Sequence, residues 1–253
     1  MGKYKRKHLQ TINHKLQTLP LLLNIDTATE QASVCISDGN KICAIKISND
    51  QKNHASFIQT AIKELFKNTG YTLQQTNAVA VTAGPGSYTG LRVGMATAKG
   101  LCYALQKPLI LINTLEVMAC AALQENNEPV KANQLFCPMI DARRMEAFTA
   151  LYNKELQTIL NPAAVILDES SFKEYLDDNA IVFFGSGHTK LKNIINHPNA
   201  FFSNVQHHAG HLAMLAAKAF EQKKFSDIAY CEPFYLKEFF TVKQPVRQNE
   251  NLL

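Results

Sequence analysis

The stretch of sequence that decides the fold reads Gly84-Pro85-Gly86-Ser87-Tyr88-Thr89-Gly90-Leu91-Arg92. It follows an apolar, strand-like run at residues 78–82 and opens a helical pattern at residues 89–105. Glycines between a strand and a helix N-terminus expose backbone amides that can hold an anion. The stretch is not a P-loop, because no Lys-Ser or Lys-Thr pair follows, and the third glycine of a dinucleotide fingerprint would fall at Thr89. A turn that packs two lobes together is the alternative.

A second signal lies upstream, where the apolar run at residues 21–25 ends at Asp26-Thr27-Ala28-Thr29. Two strands are predicted next, at residues 32–37 and 41–48, because Asp38-Gly39 between alternating apolar residues indicates a hairpin. Short oxygen-bearing side chains at a strand end suit contacts with Mg²⁺ water or phosphate. An ordinary polar turn that caps the strand is the alternative.

The second half of the chain repeats this organisation in weaker form. We predict helices at residues 54–67, 114–123, 171–176 and 210–222, and further strands at 109–112, 135–140, 146–152, 163–167 and 181–184. Three strands, a helix, a strand and a helix, followed by an α/β half whose first strand ends at Asp141, indicate two related lobes with a cleft between them. The predicted domains are a basic extension (1–19), a first lobe (20–112, joined by 228–245), a second lobe (113–227) and a tail (246–253).

Composition and charge exclude several classes of protein. The 253 residues are 46% apolar, enough for a sizeable core, and no apolar run approaches the roughly 20 residues that span a bilayer. Five of the 26 basic residues lie in residues 1–19, which hold no acid, so the remaining chain balances its 21 acidic residues. The globular part therefore has no bias toward binding RNA alone. The six cysteines lack paired spacing, which predicts reduced, buried thiols in a cytoplasmic protein.

Two further motifs have a functional and an ordinary interpretation. His207 and His211 are four residues apart, the spacing that presents two metal ligands on one helix face. A third ligand and a glutamate base are missing, and histidines at a helix start commonly act as caps, so we predict no metal site and no catalytic residue. Gly185-Ser186-Gly187, after an apolar strand, would admit a ligand at the floor of the cleft or form a plain turn.

Taken in order, these segments resemble the TsaB (YeaZ) family, the smaller actin-like subunit of the bacterial machinery that makes N6-threonylcarbamoyladenosine on tRNA. The matching segments are residues 23–30 (Leu-Asn-Ile-Asp-Thr-Ala-Thr-Glu), residues 84–94, Ile140-Asp141-Ala142-Arg143 and Glu232-Pro233-Phe234-Tyr235-Leu236. The resemblance covers roughly residues 21–240. It implies a two-lobed, actin-like α/β fold of the ASKHA, ribonuclease H-like class, in which each lobe is a mixed sheet flanked by helices.

The resemblance also implies a role without catalysis. In this machinery the paralogue TsaD transfers the threonylcarbamoyl group to adenosine 37 and carries a metal-binding His-x-x-x-His. This sequence has Thr114 and Met118 at those two positions, and a hydroxyl and a thioether do not replace two imidazoles. The implied function is a scaffold that binds and activates TsaD, helps to recruit the ATPase TsaE, and meets tRNA only within the complex.

The first-lobe helices are the implied partner surface, where family members pair with TsaD or with themselves. A heterodimer and a homodimer both stay open. Small residues along 89–105 would let a partner helix approach closely. The predicted interface residues are His54, Phe57, Ile58, Ala61, Gly84, Gly86, Ser87, Tyr88, Thr89, Gly90, Arg92, Val93, Gly94 and Ala98.

A nucleotide in the cleft is a further possibility that the sequence leaves open. ATP or ADP with Mg²⁺ would be held by Asp26, Thr27, Thr29, Gly185 and Gly187. The competing function is an actin-like ATP hydrolase or kinase built on Asp26, Ser87 and Asp141. A peptidase ranks last, because the sequence has neither a metal pair nor a Ser-His-Asp constellation.

Overall fold

The computed structural model of the chain describes residues 19–50, 53–125 and 133–237. The predicted basic extension, apart from Leu19, lies outside the described residues, as do the predicted tail and residues 238–245. The strands are β1 (Leu21–Asp26), β2 (Ala32–Asp38), β3 (Lys41–Ser48), β4 (Ala78–Gly84), β5 (Leu109–Asn113), β6 (Gln134–Asp141), β7 (Glu146–Tyr152), β8 (Thr158–Ile166), β9 (Ala180–Phe184) and β10 (Ala200–Phe202). The helices are α1 (His54–Thr69), α2 (Tyr88–Leu105), α3 (Thr114–Glu125), α4 (Lys173–Leu176), α5 (His188–Lys192) and α6 (Ala209–Glu221).

The strands form two five-stranded sheets with the same connectivity. The first has the order β3-β2-β1-β4-β5 and the second, read in the same sense, β8-β7-β6-β9-β10. In each sheet the three strands that come first in the chain pair antiparallel with one another. The fourth strand then pairs parallel with the central one, and the fifth pairs parallel with the fourth. The predicted two-lobed α/β fold, with a mixed sheet flanked by helices in each lobe, is confirmed. Equivalent positions are Asp26 and Asp141, each at the end of the central strand.

The first sheet is covered on both faces, which explains why its central strand is buried at every position and begins with three consecutive leucines. Leu23 and Ile25 on β1 pack into one core with α1 and α2, whereas Leu22 joins the core on the opposite face with α6. Successive side chains of a strand point to opposite faces, so a strand buried on both sides reads as a continuous apolar run. Helix α1 ends at Gly70, whose φ of 75° is the left-handed cap conformation that glycine adopts freely.

Helix α6 corrects a predicted domain boundary. The sequence places it in the second lobe, residues 113–227, but in the structure Leu212 and Leu215 pack against Leu22 and Ile110 of the first sheet. The backbone amide of Ala209 also donates to Ser33 Oγ at 2.8 Å. The segment before α6 therefore crosses from the second sheet back to the first.

Strand β8 begins five residues earlier than the sequence predicts, since Asn161-Pro162 reads as a break. It lies at the edge of the second sheet, where the missing amide of proline costs no ladder hydrogen bond. The short elements α5 and β10 have too few residues for a periodic signal and were not predicted. Among the described residues, no helix has the length and apolar character needed to cross a bilayer.

Candidate functional site

A cleft of about 370 Å³ is lined by residues of both lobes. The lining comes from the turn after β1, the end of β3, α3, the turn after β9 and the loop before α6. These residues are Thr29, Glu30, Gln31, Asn49, Met118, Gly185, Ser186, His188, Asn204, Val205, Gln206 and His207. Six of these twelve residues carry a side-chain amide or hydroxyl, and Glu30 is the one acidic residue among them, so the cleft mixes polar and apolar surface and holds few formal charges.

The structure brings only part of the predicted nucleotide set to this cleft. Thr29 and Gly185 line it. Asp26 and Thr27 do not, because both are buried beneath its surface, with 1% and 0% of their side chains exposed. Gly187 is also buried, and a Cβ there would lie 3.2 Å from Met139 and Ala147. The structure thus has Thr29 and Gly185, but not Asp26, Thr27 or Gly187, among the residues that line the cleft.

The lining also fits poorly to the phosphates of ATP or ADP. Among the described lining residues there is no lysine or arginine, and Glu30 contributes a negative charge. Polyphosphates are held by cationic side chains or by free amides at a helix N-terminus. The amide of Ser87 is already bonded to Ala28 O at 2.7 Å, and that of Gly90 to Ser87 Oγ at 3.3 Å.

Asp26 is engaged on both of its carboxylate oxygens. The hydroxyl of Thr82 donates to Oδ1 at 2.9 Å, and the amide of Ala28 donates to the same oxygen at 3.1 Å. Oδ2 lies 3.3 Å from Nε2 of His207. Because buried carboxylates persist where they are paired and hydrogen-bonded, these contacts give Asp26 a structural role.

The histidines at the start of α6 act separately rather than as a ligand pair. His207 contacts Asp26, whereas His208 and His211 cap the helix: the amide of Gly210 donates to His208 Nδ1, and that of His208 to His211 Nδ1, each at 3.1 Å. Of the two histidines for which the sequence favoured a cap, His211 has that role and His207 does not. Burial, and next the charges that His208 and His207 would carry, lower the pKa of His211 to about 3. Across the described ranges, no group of three or more His, Cys, Asp or Glu side chains could hold a metal ion.

Thr114 and Met118 have defined roles at the start of α3. The amide of Gly84 donates to Thr114 Oγ1 at 3.2 Å, so this buried hydroxyl positions the glycine-rich turn. Met118 is 3% exposed and lies at the cleft, with its methyl group beside Gly185. Thr114 therefore anchors the glycine-rich turn, and Met118 forms an apolar part of the cleft wall.

The glycines of α2 pack against the chain itself. A Cβ at Gly90 would lie 2.1 Å from Thr27 O, and one at Gly94 would lie 2.3 Å from Thr27 Oγ1. Thr27 Oγ1 in turn donates to Gly90 O at 2.7 Å. The prediction that these two glycines admit a partner helix is therefore wrong, since they admit the turn after β1. Gly100 differs, because a Cβ there would meet nothing within 4 Å.

Burial divides the predicted interface residues into two groups. Those buried within the lobe, which a partner cannot reach, are His54, Ile58, Ala61, Gly84, Gly90, Gly94 and Ala98. Those wholly or partly exposed are Phe57, Gly86, Ser87, Tyr88, Thr89, Arg92 and Val93. Helical spacing extends the second group along α2. We define the α2 outer face as Thr89, Arg92, Val93, Ala96, Gly100 and Tyr103.

An aromatic cluster lies at the start of this face. The guanidinium of Arg92 lies 4.7 Å from the centre of the Tyr88 ring, and Tyr88 contacts Tyr235 with ring centres 5.3 Å apart. The amide of Phe234 donates to Ala83 O at 2.6 Å. The described part of the 228–245 segment thus contacts the first lobe and places Tyr235 beside α2.

Asp141, at the end of β6, forms an ion pair with Lys190. Its Oδ1 lies 2.6 Å from Lys190 Nζ and accepts from the amide of Arg143 at 2.6 Å. Burial raises the pKa of Asp141, but these two hydrogen bonds lower it more, so the pKa lies below its ordinary value. Neither Asp141 nor Ser87 lines the cleft. The three residues of the hydrolase hypothesis are not brought together there.

Comparison with known proteins gives consistent matches. The family model described as TsaD, tRNA N6-adenosine threonylcarbamoyltransferase, matches residues 41–245. The tRNA threonylcarbamoyladenosine biosynthesis protein TsaB of Bacillus subtilis is 26% identical over 224 residues, which cover 85% of this chain and 93% of that protein. The tRNA N6-adenosine threonylcarbamoyltransferase of Anaplasma phagocytophilum is 31% identical over 117 residues, 40% of this chain and 34% of that protein.

The fold also matches a solved structure, and the match covers the whole length of that structure. A Pseudomonas aeruginosa protein described as similar to peptidase YEAZ superposes with a TM-score of 0.76 and 23% identity, covering 87% of this chain and 100% of that one. This likeness concerns the fold alone.

Proposed function

Because this chain belongs to the TsaD family, and within it to the TsaB (YeaZ) branch, we propose that it is the non-catalytic scaffold of a tRNA-modifying complex. Its place in N6-threonylcarbamoyladenosine biosynthesis follows from the family. In the proposed role it binds and activates the TsaD transferase, which modifies adenosine 37, helps to recruit the ATPase TsaE, and acts in the cytoplasm.

The observation that supports this proposal is which residues stand at positions 114 and 118, at the start of α3. Thr114 is buried and bonded to the amide of Gly84, and Met118 closes the cleft beside Gly185. By resemblance, a transferase has two metal-binding imidazoles at these positions. A hydroxyl engaged in a backbone hydrogen bond and a thioether cannot supply that chemistry. We infer that the chain depends on a partner for group transfer.

The α2 outer face is the surface that we propose for TsaD. Ala96 and Gly100 are small and exposed, one turn apart, between Arg92 and Tyr103. Helices whose axes lie 8–10 Å apart need small side chains at the crossing, with larger ones at the rim. Tyr103 is 74% exposed, and exposed tyrosine and arginine are typical anchors of a protein interface. The same face would serve a homodimer of the isolated chain.

The test replaces Ala96 with arginine and measures co-purification with TsaD together with modification of a tRNA transcript. We expect both to be lost, because a guanidinium at position 96 blocks helix approach while the core stays untouched. The matched control is Met214→Arg on the exposed side of α6, which covers the opposite face of the sheet. Both variants should keep the wild-type melting temperature. Full TsaD binding and modification by Ala96→Arg would contradict the proposed interface.

Size-exclusion chromatography of the same two variants tests the homodimer. If the isolated chain pairs through the α2 outer face, Ala96→Arg elutes as a monomer and Met214→Arg as a dimer. Modification assays with this chain omitted test the scaffold role itself: TsaD activity that is independent of the chain would overturn it.

A further inference from the structure

The hairpin between β6 and β7 has an unusual backbone at its tip. Arg143 and Arg144 are consecutive and both have positive φ, 68° and 49°. Residues other than glycine, asparagine and aspartate rarely adopt this left-handed conformation, because Cβ then crowds the backbone. Two arginines are therefore poor choices for the turn itself. Such local strain is commonly found where a side chain is needed for function.

The charges around the tip are distributed unevenly. Both acids next to it are engaged, Asp141 with Lys190 and Glu146 with Lys237. The guanidiniums of Arg143 and Arg144 are exposed, and neither has a hydrogen-bond or ion-pair partner within residues 19–50, 53–125 and 133–237. Beyond residue 19 the chain as a whole is neutral. The tip thus presents two exposed arginines, although Arg143 lies close enough to Asp141 to lower the pKa of that carboxyl, and Asp168 and Glu169 line the same surface hollow as Met145.

The tip is also held in place. The amide of Arg143 donates to Asp141 Oδ1 at 2.6 Å, and the amide of Asp141 donates to Ser186 Oγ at 3.1 Å. Lys190, which pairs with Asp141, also donates to the backbone oxygen of Glu146 at 3.1 Å. These bonds fix the base of the hairpin from both of its strands. A group that binds the two guanidiniums would therefore meet a partly ordered site, which lowers the entropic cost of binding.

We propose that Arg143 and Arg144 bind the phosphate backbone of a folded RNA. Arginine presents a planar fork of donors that matches phosphate oxygens, and exposed, unpaired guanidiniums are ready to do so without first breaking an ion pair. Met145, which is 42% exposed, follows them in sequence and adds an apolar side chain to the same surface. That this RNA is a tRNA rests on the proposed function. The proposed RNA contact at Arg143 and Arg144 lies on the second lobe, whereas the α2 outer face lies on the first.

The test measures binding of a fluorescent tRNA transcript to the full chain, alone and with TsaD, over a series of salt concentrations. The variant Arg143→Asn/Arg144→Gly removes both charges and installs residues that accept positive φ. We expect the affinity for tRNA to fall about tenfold or more at low salt, and the slope of log affinity against log salt to fall by about 1 to 2. The melting temperature should stay unchanged or rise, which separates loss of binding from loss of folding.

The matched control is Lys154→Gln/Lys223→Gly. It removes the same number of charges from exposed positions, and Lys223 also has a positive φ, 54°. An unchanged affinity of the Arg143→Asn/Arg144→Gly variant overturns the proposal, as does an equal loss in the control. Loss of TsaD binding by this variant would make the tip a protein contact, and loss of binding to phosphatidylserine vesicles without loss on tRNA would make it a membrane contact; both overturn it. If the wild-type chain fails to bind TsaD, the scaffold role fails, whereas an unchanged tRNA affinity of the complex between TsaD and the Arg143→Asn/Arg144→Gly variant overturns this proposal alone.

Discussion

The imidazole of His207 lies against the carboxylate of Asp26, with 3.3 Å between Nε2 and Oδ2. His207 belongs to the segment that crosses from the second sheet to α6, and Asp26 ends the central strand of the first sheet. Both side chains are buried. The contact therefore joins the crossing segment to the central strand of the first sheet.

Replacing Asp26 should cost more stability than replacing its equivalent in the second lobe. In Asp26→Ala, the hydroxyl of Thr82 and the amide of Ala28 lose their acceptor, and His207 loses its contact with the carboxylate. Buried polar groups without partners are expensive. We expect the free energy of unfolding, measured by urea denaturation, to fall by roughly 2–4 kcal/mol. Asp141→Ala breaks an exposed ion pair and should cost less than about 1 kcal/mol. Equal losses would show that Asp26 is not structural.

Two glycines of α2 should respond in opposite directions to alanine. A Cβ at Gly94 meets Thr27 Oγ1 at 2.3 Å, so Gly94→Ala must displace the turn after β1 and is expected to destabilise the chain by about 1–3 kcal/mol. Gly100→Ala meets no atom and should stabilise it by about 0.5–1 kcal/mol through helix propensity. Urea denaturation measures both.

A double variant isolates the cause of the Gly94 effect. Thr27→Ala removes the obstructing oxygen, so Gly94→Ala should cost less in the Thr27→Ala background than in the wild type. Additive costs would mean that another contact is responsible.

The fold was predictable because its signals are local. Asp38-Gly39 between apolar runs sets the hairpin of β2 and β3, and the helical spacing of Ile58, Ile62 and Leu65 sets α1. Each signal depends on neighbours within one element. The lobe to which α6 belongs was not predictable, since its apolar face fits any sheet and only the crossing segment decides which one it covers.

The residues of the candidate site were less predictable, because the burial of a side chain at the end of a strand depends on which distant segments pack over that end. The sequence identified Asp26 and the small residues of α2, but not that Thr27 lies between β1 and Gly94. Nor could it indicate that His207 contacts Asp26, which is 181 positions away. The sequence pattern of a polar turn is the same whether its side chains face a cleft or the core. Of the residues predicted for a nucleotide, Asp26 and Thr27 are buried, whereas Thr29 and Gly185 line the cleft.

Stability should decrease on acidification through His211. Burial holds its folded-state pKa at about 3, whereas the unfolded value is about 6.5. Between these values the unfolded chain binds the proton and the folded chain does not, so the free energy of unfolding falls as the pH falls below about 6.5, by up to about 1.4 kcal/mol per pH unit from this group. His208, whose pKa is also lowered, first by burial, acts in the same direction.

The measurement compares urea denaturation of wild type and His211→Gln from pH 7.5 to pH 4.5. Glutamine keeps an acceptor for the amide of His208 but does not titrate, so the variant should show a shallower dependence on pH below 6.5. Above pH 7 the two curves should run parallel. An identical dependence on pH in both proteins would contradict the assignment to His211.

The cysteines should divide into protected and accessible thiols. Burial is the first cause that raises the pKa of Cys35 and Cys137 to about 12 and of Cys102 and Cys120 to about 11. Their thiolate fraction at neutral pH is therefore very small, and their sulfurs are out of reach of a bulky reagent.

Cys43 and Cys231 are only half-buried. We therefore expect the native chain to react with Ellman's reagent at no more than these two thiols within minutes. After denaturation without reductant, all six should react, because all six cysteines are free in the structure. Fast reaction of more than two thiols in the native state would show that the sheets open readily, and fewer than six after denaturation would reveal a disulfide.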